Sequence, residues 1–137
     1  MDNKQIAITE FGGPEVLVIQ TSDVPQPKAG EVLVKVAFAG VNPIDVKTRA
    51  GLGWAAAQNK DKLPWVPGYD ISGQVVEVGE DNRRFQIGDN VAGFVGFPLR
   101  GGGYSQYLFF FLPTVPGHGR PNVLFLVPPV LQKKKNK

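Results

Sequence analysis

Cysteine is absent from the 137 residues, and histidine occurs once, as His118. A thiol nucleophile and every cysteine-based zinc site are therefore excluded within this sequence, although the absence says little about compartment. No stretch approaches the roughly 18 apolar residues that a membrane-spanning helix requires. Met1–Thr9 lacks the apolar run of a secretory signal, so a soluble, cytoplasmic protein is expected. Excess charge is scarce too. The formal net charge is +3, but Lys133, Lys134, Lys135 and Lys137 are four of the fifteen basic residues, and without them the body stands at −1. Neither nucleic acid nor an anionic membrane is an expected partner, and the lysine run reads as a solvated end.

What is present fits one domain with a tail. Apolar residues make up 42% of the chain, enough for a core without disulfides. Seventeen glycines and twelve prolines cut the apolar runs short, which predicts a mainly β fold with many turns. Expected strands cover Lys4–Thr9, Glu15–Thr21, Glu31–Val41, Ile71–Glu77, Asn90–Gly96 and Tyr104–Tyr107. In the clearest of them Val32, Val34, Val36 and Phe38 share one face at period two. Gly12-Gly13-Pro14 and Pro25–Gly30 read as turns. Strands this short must satisfy their edges, which favours a closed or partly closed barrel.

One helix interrupts the pattern. Asn42-Pro43-Ile44-Asp45 offers a capping residue, a proline at the first helical position and an acid in the first turn. The helix should stop near Gly51, and Trp54–Trp65 reads as irregular. Gly51-Leu-Gly53-Trp-Ala-Ala56 fits the loose dinucleotide fingerprint, but that motif must follow a strand, and here it follows a helix. After Tyr107 the composition changes. Residues 108–137 hold none of the twelve acids and five of the twelve prolines. The domain is therefore expected at 1–107, with 108–137 an anomalous apolar, proline-rich tail. A shifted reading frame is one account of it, and a natural extension packed on the barrel is the other. Self-association through this tail is expected.

Three stretches resemble one family in order and spacing: Ala39–Asp45; Pro67-Gly68-Tyr69-Asp70-Ile71-Ser72-Gly73 with Val78-Gly79; and Phe85–Val91 followed by Gly102–Tyr107. They resemble the N-terminal catalytic domain of zinc-free quinone oxidoreductases in the medium-chain dehydrogenase/reductase superfamily. The resemblance implies a GroES-like, partly closed barrel with one or two short helices. It also implies that the Rossmann domain of that family, and the chain that returns to the catalytic domain, are not within these residues. Zinc-dependent relatives carry a cysteine where this chain has Asn42 and a histidine where it has Tyr69. An amide and a phenol are poor zinc ligands, so no metal site is expected. The implied activity is NADPH-dependent reduction of a quinone or enone.

Without a metal, charge growing on a substrate oxygen must be met by donors placed in advance. Asn42 offers an amide N–H and Tyr69 a phenolic O–H. The resemblance puts Asn42 and Pro43 beside the nicotinamide, and Asp45 in support of Tyr69 at the mouth of a cleft. Structural readings stand beside these. Asn42 is a good helix cap, Asp45 a first-turn acid and Tyr69 a packed aromatic, while Gly101-Gly102-Gly103 reads as a turn or as part of a cofactor cleft. For the chain as a whole, the expected function is a catalytic-domain fragment that neither binds NADPH tightly nor turns over alone. The alternative is a non-enzymatic GroES-like binding or structural module.

Overall fold

The computed structural model describes residues 1–96, 101–111 and 123–127. Within them the chain runs β1 (Asp2–Ile8), a short 3-10 turn (Pro14–Val16), β2 (Leu17–Asp23), β3 (Glu31–Ala39), α1 (Pro43–Arg49) and α2 (Gly53–Asn59). It continues with β4 (Asp70–Val78), β5 (Asn90–Phe94), β6 (Tyr107–Phe111) and β7 (Val123–Leu126). The fold is mainly β with two short helices, as expected. A two-stranded β1-β2 sheet lies against a five-stranded sheet in the order β6-β3-β4-β5-β7. These sheets do not close on themselves among the described residues. They are joined by isolated bridges, Gln5 to Ser105 and Ile8 to Trp65. The buried Asn3 side chain adds to the seam, donating to Tyr107 O (3.1 Å) and accepting from Tyr107 N (3.0 Å).

Alternation explains part of β3, where Leu33, between two buried valines, is buried as well. Val32 and Val34 are fully buried and pack with Ile71, Val75, Phe85, Val91, Val95 and Phe110. Each such side chain stabilises the fold by about 1.5–3 kcal/mol relative to an exposed one. The alternation fails at Phe38, which is 63% exposed. A register shift between Val36 and Phe38 against β4 is the cause, since one extra residue turns the following side chains to the other face. Gly73 lies opposite Val36 in that ladder, and a Cβ there would stand 2.2 Å from Lys35 O. No side chain fits at this crossing.

One expectation needs correction. Trp54–Asn59 is helical, not irregular, because Ala55 and Ala56 bury a small face and the Asn59 amide donates to Ala55 O at 2.8 Å. The expected domain end at Tyr107 falls at the start of β6. That strand pairs with β3 from Tyr107–Lys35 to Phe111–Glu31, and Phe110 is only 1% exposed in the core. Residues 108–111 therefore belong to the sheet, and 123–126 pair with β5. Val127 N–H donates to Asn90 O at 2.8 Å, and the remainder of the expected tail, including its lysine run, lies outside the described residues. No described helix is long and apolar enough to cross a membrane.

Candidate functional site

The site grows from the start of α1. Asn42 has extended backbone angles (φ −116°, ψ 158°), and Asn42 and Asp45 form a reciprocal capping box with Pro43 inside the first turn. The Asn42 main-chain N–H donates to Asp45 Oδ2 at 2.8 Å. Asp45 is only 3% exposed, so its carboxylate must be satisfied by the protein. Its other oxygen accepts from Gly68 N at 3.2 Å. A third donor is the Tyr104 phenol.

Gly68 makes this meeting sterically feasible. Its φ is +95°, and a Cβ would lie 2.6 Å from Tyr104 Cδ1, so only glycine fits. Main-chain bonds then clamp the two segments, from Gly103 N to Gly68 O (2.9 Å) and from Tyr104 N to Pro67 O (3.0 Å). The Gly101–Gly103 turn is held as well, by Gly102 N to Val66 O at 2.8 Å. Three segments far apart in sequence thus converge on one carboxylate. They are the stretches beginning near Ala39, Pro67 and Gly102.

Two phenols sit in this environment. Burial, then the Asp45 charge and the Asp45 hydrogen bond, push the Tyr104 phenol up to about 12. Burial first and the Asp45 charge second also raise the Tyr69 phenol well above its usual value, against a smaller opposing effect of its hydrogen bond with Thr48. Both are neutral near pH 7. Tyr69 is fully buried, with ring centroids 6.1 Å from Trp65 and 6.0 Å from Phe94. Beside the hub, a cleft of about 350 Å³ is lined by Lys4, Ile6, Ile19, Val36, Ala39 and Tyr104, among others. Tyr104 is part of its wall, whereas Asn42, Asp45 and Tyr69 are not.

Residues 28–118 match the alcohol dehydrogenase GroES-like domain. The chain belongs to this family. It is 41% identical over 105 residues to the quinone oxidoreductase of Lama guanicoe, covering 76% of this chain and 30% of that protein. To the chloroplastic NADPH-dependent alkenal/one oxidoreductase of Arabidopsis thaliana it is 40% identical over 84 residues, covering 61% and 21%. Among solved structures, the quinone oxidoreductase from Coxiella burnetii superposes with a TM-score of 0.76 at 40% identity, covering 80% of this chain and 34% of that one. The chain thus spans about a third of the length of these quinone oxidoreductases, and corresponds to their N-terminal, GroES-like part.

Among the described residues, the groups at Asn42, Asp45 and Tyr69 are already engaged within the protein. The Asn42 amide nitrogen donates to Asp70 Oδ2, Tyr69 is enclosed, and Asp45 is occupied by three hydrogen-bond donors. No cluster of three or more His, Cys, Asp or Glu occurs among the described residues. Tyr69 has no exposed surface among the described residues. Asp45 acts electrostatically on Tyr69, but the phenol it shares a hydrogen bond with at the Gly68 turn is that of Tyr104. Asn42 and Pro43 remain accessible, half-buried and exposed respectively. Tyr104 and Asp70 lie inside the family stretches, where nothing local gives either a task. Their link to Asp45 and Asn42 crosses tens of residues and leaves no local periodic signal.

Proposed function

We propose that this chain is the catalytic-domain portion of a zinc-independent, NAD(P)H-dependent oxidoreductase acting on quinones or conjugated enones. The observation that carries this reading is the state of Asn42. At the position where zinc-dependent relatives place a cysteine ligand stands a carboxamide, held at a helix start and half-exposed, with an N–H to offer. The names of the Lama guanicoe and Arabidopsis thaliana relatives support the substrate classes and the cofactor. A nicotinamide, when bound, supplies the hydride. Asn42 and Pro43 would form its wall in this domain. The Asn42 N–H would meet charge developing on the substrate oxygen. Asp45 touches neither; it holds the α1 start, Gly68 and Tyr104 in one arrangement.

Alone, the 137-residue polypeptide offers only this wall. Nicotinamide cofactors are held chiefly through a Gly-rich turn and a helix N-terminus at the pyrophosphate. One wall leaves little contact energy after the entropy of binding is met. Calorimetry should therefore find no submicromolar NADPH binding to the isolated chain. Joined to the remaining two-thirds of the Lama guanicoe enzyme in place of its own N-terminal part, the chain should support quinone-dependent NADPH oxidation without stoichiometric zinc. A folded, NADPH-binding chimera that leaves quinone untouched would favour a purely structural barrel. For the acid-free stretch that begins at Leu108, a shifted reading frame is one account and a natural extension packed on the barrel is the other, the second supported by the pairing of β6 with β3 and of β7 with β5. The coding DNA downstream of that point separates the two.

A further inference from the structure

Asp70 is the carboxylate to which the reading above gives no task. It opens β4, half-buried, with its main-chain oxygen accepting from Gly40 N at 2.8 Å. Gly40 leaves room for it, since a Cβ there would lie 3.1 Å from Asp70 Cβ. The Asp70 side chain reaches across this gap to accept from Asn42 Nδ2.

A carboxamide has one accepting end and one donating end, whereas an ionised carboxylate only accepts. Turning the Asn42 amide over would set its carbonyl oxygen against Asp70 Oδ2, two acceptors in contact with no proton between them. The Asp45 main-chain N–H donates to the Asn42 main-chain oxygen at 2.9 Å, so the Asp70 carboxylate is what sets the amide's polarity. One N–H on Asp70 leaves the other N–H of the carboxamide for a ligand. It belongs to a half-buried residue between the exposed Val41 and Pro43.

We propose that Asp70 is the positioning residue of Asn42, fixing its carboxamide so that the site offers an N–H, and not a carbonyl oxygen, to its ligand. The ligand group it selects is a hydrogen-bond acceptor. The proposal rests on the oxidoreductase reading only for identifying that acceptor as a quinone or enone oxygen. In a merely structural contact, Asp70 would tie the Gly40–Asn42 loop to β4, and the amide's orientation would not matter.

Nuclear magnetic resonance of the ¹⁵N-labelled 137-residue chain separates these without any activity measurement. In the wild type the two Asn42 carboxamide protons should exchange with solvent at rates differing by at least about tenfold, the Asp70-bound one being slower. D70N keeps size and shape but removes the enforced polarity. Its Asn42 protons should converge to within about twofold while the thermal melt stays cooperative, and D70E should restore part of the difference. Equal exchange in the wild type overturns the proposal even if every variant fails to fold. So does a D70N chain whose Asn42 signature is unchanged. An inactive chimera, by contrast, would sink the oxidoreductase reading and leave this result standing.

Discussion

The two interior clusters of this domain are built on different chemistry. One lies between β3, β4, β5 and β6, and its eight buried members, from Val32 to Phe110, are all apolar. The other gathers Ile8, Val16, Trp65 and Tyr69, and the elements around it bury Asp45, Thr48 and Asn59. In the first, contacts are non-directional, and any side chain of suitable volume holds the sheet. In the second, donors must find named acceptors, and a change of one atom type leaves a group unpaired. More of the buried apolar side chains lie at the first end than at the second. At the other end the polar contacts determine where the start of α1 points, and so where Asn42 stands.

Phe110→Ala should break the apolar end most severely. Removing a fully enclosed ring from a packed core costs about 3–5 kcal/mol, and chemical denaturation of the two chains should show a loss of that size. A chain ended after Tyr107 loses most of β6 with this ring and should melt well below the full chain. This reverses the expectation from composition, by which the shorter chain would be no less soluble. Equal melting temperatures for the two lengths would return residues 108–111 to the tail.

At the polar end, Asp45→Ala removes no large volume but strands Asn42 N–H, Gly68 N–H and the Tyr104 phenol. An unsatisfied buried donor costs about 1–3 kcal/mol, and entry of water offsets part, so a loss of about 3 kcal/mol is expected by urea unfolding. Asp45→Asn keeps one acceptor and turns an NH₂ toward a donor, so its loss should be smaller but clear. Insensitivity to both would mean that the two ends do not differ in the way described.

The sequence made the apolar end more legible than the polar one. Val32 and Val34 announce themselves by alternation, because burial at period two is a local pattern. Phe38 breaks that pattern through a bulge, which depends on the register with β4 and is invisible within β3. The seven-residue α2 is hard to see in the sequence because it starts without a side-chain cap and sits among glycines and prolines. Asn42, Pro43 and Asp45 were legible as a helix start. The motif around Tyr69 suggests it as a donor, while Trp65 and Phe94 pack around its ring. Tyr104 and Asp70 gain their tasks only when Gly68 and Gly40 let distant segments touch. Sequence separation hid these pairings.

The smallest expected effect is the most specific test of the contrast. Tyr104→Phe keeps the ring against Gly68 and removes only the hydroxyl that donates to Asp45. A hydrogen bond to a charged group contributes about 1.5–3 kcal/mol when buried, and Tyr104 is half-buried, so a loss of about 1–2 kcal/mol at neutral pH is expected. The dependence on pH carries further information. In the folded chain the Tyr104 phenol keeps its proton up to about 12, against an ordinary value of about 10 in the unfolded chain. Between those values the folded state binds more protons than the unfolded state. The stability linked to this group is therefore fully present below about pH 10 and is lost as pH climbs toward about 12. Tyr69 is shifted in the same direction and stays in place in the variant. Tyr104→Phe should consequently flatten the alkaline fall in stability without abolishing it. Urea midpoints of both chains across that range, read with tyrosinate absorbance, measure the difference. Parallel curves would show that Tyr104 does not sense Asp45, and the convergence of the three segments on one carboxylate would lose its energetic meaning.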